Sequence, residues 1–209
     1  MPGSRRTSQR TDRWWTFAAP GYDRTVALVG WHRWLGELVA GVDGGVVLEV
    51  GCGPAFLARS LRSRGVDYVG LDRNPAMLHR ARRGTHGWGP GRSRLVRGDC
   101  TELPFRTGSF DVVVAAGVLG LLRAPQRQAA LRELARVSRG EVRLLEPIAR
   151  GAAGTHRLRT RLLAFAPDGQ IALAELVDAG LRPELVGPAR LAGVYSQVRG
   201  TPLGKRPDR

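Results

Sequence analysis

Lysine is almost missing from this sequence: Lys205 is the one lysine among 33 basic residues, so the cationic character rests on arginine. With the abundance of glycine and alanine, this points to a GC-rich coding bias. It weakens the reading of the +15 net charge as a face selected for nucleic acid or an anionic surface. The arginines run from Arg5 to Arg209 without one dense block. Cysteine is scarce as well. Cys52 and Cys100 have no metal-type spacing and are too few for a disulfide framework, so a zinc site and a stapled scaffold are not expected. No run of 18 apolar residues occurs, and the polar, basic residues 1–13 lead into no hydrophobic segment of signal-peptide type. The expectation is a soluble, cytoplasmic chain. Its 209 residues and 43% hydrophobic fraction suit one globular domain behind a disordered basic tail, residues 1–12.

What is present is organised around Val46-Val47-Leu48-Glu49-Val50-Gly51-Cys52-Gly53-Pro54-Ala55-Phe56-Leu57-Ala58. Val46 to Val50 is apolar except for Glu49, the pattern of a strand covered on both faces. Gly51 and Gly53 then allow a tight turn against which a ligand can lie, and Pro54 suits the first turn of the helix that follows. About twenty residues on, a second apolar strand, Asp67 to Leu71, ends on Asp72, where a carboxylate can accept both hydroxyls of a ribose. Glu49 would be an unpaired acid in a buried strand if it were only structural, which favours a role in binding a cation.

The ordered segments VLEVGCGPAFLA, GLDRNPAML, GDCTELPF, FDVVVAAGVLGLL and ELARVSRGEVRLLEP resemble the motif series of class I S-adenosylmethionine-dependent methyltransferases. The similarity is to the small subgroup that includes the ubiquinone and menaquinone enzymes. It covers residues 46–147 and departs at Ala55, where the family has a third glycine. The resemblance implies a Rossmann-like, seven-stranded α/β fold, mostly parallel, with helices on both faces and a helical N-terminal lid. It also implies S-adenosylmethionine as cofactor and no metal. The cofactor-binding residues it indicates are Glu49 for the ammonium, Gly51, Cys52 and Gly53 in the turn, Asp72 and Arg73 after the second strand, Asp99 and Cys100 around adenine, and Ala116 and Gly117 beside the methyl group. Cys52 reads as a small filler residue rather than a catalytic thiol. Asp99 reads either as the adenine partner or as a loop residue capping Thr101 and Glu102.

In chain order, residues 13–43 carry a helical face of Leu28, Trp31, Leu35, Leu38 and Val42. This is either a helix packed on the core or the family's lid, whose entry motif Tyr22 and Asp23 resemble; its tryptophans would also suit a peripheral lipid contact. Asn74-Pro75 starts a helix with Met77, Leu78 and Ala81 inward, while His79 and His86 face solvent. Strands are expected at Ser93–Arg97, Phe110–Ala116 and Glu141–Glu146, and a helix at Pro125–Val137 with Ala130, Leu134 and Val137 inward. A last helix is expected from Gly169 to Gly180, with final strands at Leu185–Val186 and Val194–Val198. The basic stretch 148–167 is either a substrate-specific element, as the resemblance implies for the substrate-side part 148–209, or a surface helix with solvated arginines.

The end of the fourth strand lacks the Asn/Asp-Pro-Pro-aromatic motif that amino-directed nucleic-acid methyltransferases use, which argues against a base as acceptor. The reading is a methyltransferase for a small lipophilic or aromatic acceptor; the alternatives are an RNA or protein methyltransferase and a non-catalytic S-adenosylmethionine-binding regulator. Candidate bases are His32, His156, Tyr22 and Tyr195, and none has a context that singles it out.

Overall fold

The computed structural model describes residues 30–89, 92–149, 170–191 and 193–204. Seven strands form one sheet: β1 (Val46–Val50), β2 (Asp67–Asp72), β3 (Ser93–Arg97), β4 (Phe110–Ala116), β5 (Ser138–Glu146), β6 (Leu181–Arg190) and β7 (Tyr195–Pro202). Their order is β3-β2-β1-β4-β5-β7-β6. The first five are parallel, and β7 runs antiparallel between β5 and β6. The chain leaves β1 toward β2 on one side and returns to β4 on the other. That reversal opens a crevice at the carboxyl ends of β1 and β4.

Among the described residues, five α-helices cover the sheet: α1 (Trp31–Leu38), α2 (Phe56–Leu61), α3 (Pro75–Gly84), α4 (Ala124–Val137) and α5 (Leu173–Asp178). Alternation along the strands divides the core in two. Val47, Tyr68, Val112 and Val114 pack with Leu35 and Leu38 of α1, Leu57 and Leu61 of α2 and Ala81 of α3. Leu48, Val50, Leu71 and Val113 pack on the other face with Leu131 and Leu134 of α4 and Leu176 of α5. Strands buried on both faces explain the continuous apolar runs.

Several elements differ in extent from the sequence expectation. The first helical face is realised over Trp31, Leu35 and Leu38, but the helix ends at Leu38; Val39 and Val42 stay buried in the turn beyond it, and Leu28 lies outside the described residues. Pro54 does not occupy the first helical turn, because Ala55 takes a left-handed conformation (φ 57°) and α2 starts at Phe56. α3 begins as expected, with the Asn74 side chain accepting from the Ala76 N–H at 2.9 Å; its buried residues are Met77, Ala81 and Gly84, and Leu78 is half-buried. The final helix is short, and β6 and β7 are much longer than the two fragments expected, because they pair with each other into the antiparallel edge. Pairing with a neighbour, rather than local alternation, set their length.

Candidate active site

The Gly51–Ala55 turn is drawn tightly onto the end of β2. The Gly51 and Cys52 N–H groups both donate to the Leu71 carbonyl (2.8 and 3.0 Å), Gly53 N–H donates to Asp72 Oδ2 (2.9 Å), and Ala55 N–H donates to the Cys52 carbonyl (2.8 Å). Proline has no N–H, so every amide of the turn is committed within the protein. A phosphate cradle works in the opposite way, by aiming free backbone N–H groups at the anion. This turn offers close approach instead. Gly51 and Gly53 have positive φ (69° and 51°), and a Cβ on Gly53 would meet nothing within 4 Å.

The acids around the turn are suited to donors. Asp72 Oδ1 also accepts from the Asn74 N–H (2.8 Å), which fixes the carboxylate at the tip of β2. Each oxygen thus accepts a backbone bond. Asp99 lies at the surface beyond β3, with Oδ1 accepting from both the N–H (2.9 Å) and the hydroxyl (2.7 Å) of Thr101. The capping geometry is therefore realised, and it leaves Oδ2 of Asp99 for a ligand. Arg73 is half-buried after β2, and its carbonyl accepts from Arg97 Nε at 3.3 Å.

Glu49 corrects one expectation. It is buried, yet it is not unpaired, because the Tyr68 hydroxyl donates to Oε2. Burial pushes its carboxyl up to about 8; the Tyr68 bond opposes that rise and the nearby Asp72 charge adds to it. A cation brought to this acid would favour its ionised form. Burial likewise raises the thiols of Cys52 and Cys100, the latter to about 12, which fits space-filling rather than nucleophilic roles.

At the end of β4 the chain turns through Ala116 and Gly117. Gly117 has φ 66°, and a Cβ there would lie 3.1 Å from the Trp31 ring, so α1 closes directly over this point. Tyr195 packs edge-on against Trp31 at 5.3 Å between centroids, and His32 packs edge-on against Phe56 at 4.5 Å. Two of the four candidate bases, His32 and Tyr195, are thereby brought to the carboxyl end of the sheet. Tyr22 and His156 lie outside the described residues.

Glu146, at the end of β5, belongs to the site and was not singled out from the sequence. It is fully buried and accepts three backbone N–H bonds, from Val118 and Leu119 at Oε1 (2.8 and 2.9 Å) and from Gly120 at Oε2 (3.1 Å). Burial outweighs these bonds and raises the carboxyl to about 7. The one available signal was an acid inside the otherwise apolar Leu144-Leu145-Glu146-Pro147.

Among the described residues, no group of three or more His, Cys, Asp or Glu is arranged to hold a metal ion, and no helix is long and apolar enough to cross a membrane. Three acids around a glycine turn without free amides fit a nucleoside that carries hydroxyl, amine and ammonium donors and no phosphate. S-adenosylmethionine is such a molecule.

Comparison with known proteins agrees. Residues 47–141 match the model of the methyltransferase domain family. A curated methyltransferase of Mycolicibacterium vanbaalenii is 36% identical over 107 residues, which is 50% of this chain and 40% of that protein. The chain thus spans about two fifths of the length of that relative. The fold is shared with a chain of the complex between the Haloferax volcanii Trm112 methyltransferase activator and a methyltransferase: the TM-score is 0.73 at 21% identity, covering 92% of this chain and 97% of that one. It is also shared with human N-acetylserotonin methyltransferase in complex with SAM, with a TM-score of 0.58 at 17% identity, covering 76% of this chain and 47% of that one. Residues 47–141 thus match the methyltransferase domain family, and the seven-stranded sheet that they build is the fold shared with S-adenosylmethionine-dependent methyltransferases.

Proposed function

We propose that the protein transfers a methyl group from S-adenosylmethionine to a small acceptor with a lipophilic or aromatic body. When bound, the cofactor supplies a methyl group already activated on a sulfonium, ready for in-line displacement. The protein contributes binding, alignment and exclusion of water. Asp72 holds the ribose hydroxyls, Asp99 the adenine amine through Oδ2, and Glu49 the ammonium, while Gly51 and Gly53 allow the close approach. Gly117 and Val118 border the reacting end, with Trp31 and Tyr195 as an aromatic wall on the acceptor side. α1 acts as part of a lid, because Arg143 of β5 donates to the Leu38 and Ala40 carbonyls (3.1 and 2.8 Å) and ties its C-terminal end to the sheet. Alignment in a closed site contributes on the order of 7–11 kcal/mol in favourable cases, so a strong base is not required. A soluble, cytoplasmic setting fits the ordinary globular composition.

The observation that carries this reading is the turn with no free amide beside Asp72. Calorimetric titration of S-adenosylmethionine and S-adenosylhomocysteine into wild type and Asp72→Ala tests it. Binding by wild type and loss in the folded variant is the expected result, followed by methyl acceptance from a panel of quinones and phenols. A folded wild type that binds neither compound overturns it.

A further inference from the structure

Alternation along β1 puts Glu49 on the same face of the sheet as Val47, and its register neighbours are Gly70 of β2 and Val114 of β4, neither of them ionisable. The helices on that face bring Leu35, Leu57 and Ala81 into the core. Among the described residues no ion pair reaches Glu49, and its one hydrogen-bond donor is the Tyr68 hydroxyl, at Oε2. The titratable groups around it are Tyr68 and Asp72 of β2 and Cys52 of the glycine turn, and none of them is a cation.

A buried acid in such a setting is more stable neutral than charged. Burial pushes the Glu49 carboxyl up to about 8, against the Tyr68 bond and together with the charge of Asp72. The Cys52 thiol and the Tyr68 hydroxyl are raised well above their ordinary values, by burial first and then by the charge of Glu49. Near neutral pH the proton that this cluster can release is therefore the one on Glu49.

We propose that the Tyr68–Glu49 pair makes cofactor binding proton-linked: Glu49 is a carboxylic acid in the cofactor-free protein, gives its proton to solvent when an α-ammonium is brought to it, and is held as the carboxylate by the Tyr68 hydroxyl. This role rests on the reading of Glu49 as the ammonium partner, and adds to it a protonation state and a function for Tyr68. Tyr68 is a positioning residue, acting on the cofactor only through Glu49. A hydroxyl donates more strongly to a carboxylate than to the neutral acid, so Tyr68 favours the charged state that the ammonium needs. Gly70 leaves the space for it, because a Cβ there would lie 2.8 Å from the Tyr68 oxygen. A nucleoside that fills the same turn without an amino-acid chain leaves Glu49 protonated.

Calorimetry at about pH 6.5, in buffers of different ionisation enthalpy, counts the protons released on binding. S-adenosylhomocysteine, whose α-ammonium is charged at that pH, should release about one proton. 5′-Methylthioadenosine, which lacks the amino-acid chain, should release none. Between about pH 7 and 6 the Kd of S-adenosylhomocysteine should rise about tenfold, while that of 5′-methylthioadenosine holds. Glu49→Gln should abolish the release and flatten the profile. Tyr68→Phe should weaken S-adenosylhomocysteine roughly tenfold at neutral pH and move upward the pH at which its affinity levels off. Both variants should bind 5′-methylthioadenosine as wild type does, which shows that they are folded. Binding of S-adenosylhomocysteine by wild type without proton release overturns the linkage and leaves the cofactor reading standing. Release that persists in Glu49→Gln, or that accompanies 5′-methylthioadenosine as well, assigns the proton to another group and overturns the linkage too. A folded wild type that binds neither compound overturns the cofactor reading, and the linkage with it.

Discussion

Tyr68 donates its hydroxyl hydrogen to Glu49 across the β1–β2 pair, beneath the glycine turn, where both side chains are buried. Gly70 makes room for them: a Cβ there would lie 2.8 Å from the Tyr68 oxygen and 3.1 Å from Cys52 Sγ. A buried carboxyl that loses its donor costs about 1–3 kcal/mol. Tyr68→Phe should therefore destabilise the protein by about that amount, and by clearly less when Glu49→Leu, which removes the acceptor, is already present. Urea denaturation of the four proteins at neutral pH gives the coupling directly. Strict additivity of the two substitutions would mean that the bond contributes nothing.

The same burial makes stability depend on pH. Glu49 is raised to about 8 and Glu146 to about 7, both from 4.5, so the folded chain holds protons that the unfolded chain has released. Stability from these groups is full below about 4.5 and is lost as pH rises through the folded values. The urea midpoint of the cofactor-free protein should fall between about pH 5 and 8.5. Glu49→Gln should remove the upper part of the fall. A midpoint that climbs over this range in wild type would contradict the assignment.

Much of this architecture was legible in the sequence, and the reason differs from element to element. β1 and β4 have the boundaries that their apolar runs indicate, because a strand buried on both faces needs an unbroken run and a turn residue at each end, while β3 keeps its expected bounds as a half-exposed edge strand. The local pattern indicates only Leu185–Val186 for β6, which Gly187 and Pro188 follow, while pairing with β7 carries it from Leu181 to Arg190. Asp72 stands at the strand end where its position predicted it, with its carboxylate fixed by Gly53 and Asn74. Tyr68 and Glu146 were not foreseen in their roles. Each matters through partners that only the folded chain supplies, Tyr68 through Glu49 and Glu146 through three backbone amides.

Ala55 carries a local strain that the family's glycine would avoid. It is fully buried with φ 57° and ψ 48°. The left-handed region costs an L-residue roughly 1–2 kcal/mol, partly offset by the greater chain entropy of glycine when unfolded. Ala55→Gly should raise stability by about 0.5–1 kcal/mol without weakening cofactor binding. Thermal unfolding by circular dichroism checks this, and a lowered midpoint would show that the methyl group packs better than the strain suggests.

Glu146 positions the turn after β4. Its two oxygens satisfy three amides, and a glutamine can replace only one of those oxygens, so its NH₂ would face an N–H donor. Glu146→Gln should lower kcat about tenfold, equivalent to ~1.4 kcal/mol, while the S-adenosylmethionine Kd changes little. Steady-state kinetics beside calorimetry separates the two effects. A variant that loses cofactor affinity and retains kcat would place Glu146 on the cofactor side instead.

The acceptor wall makes the reverse prediction. Trp31 lies over the Gly117 turn and packs against Tyr195, on the side where the proposed reading puts the acceptor, away from Asp72, Asp99 and Glu49, to which it gives the cofactor. Trp31→Phe keeps an aromatic ring and removes the part of the indole that reaches Gly117. Truncating a wall raises KM for the acceptor when its contact is made equally in the ground and transition states. The expected result is a several-fold higher acceptor KM with kcat and the S-adenosylmethionine Kd nearly unchanged. Should the variant instead lose cofactor affinity in parallel with acceptor KM, Trp31 closes over the cofactor and the acceptor enters from another side, which the same kinetic series with Tyr195→Phe would reveal as an unchanged KM.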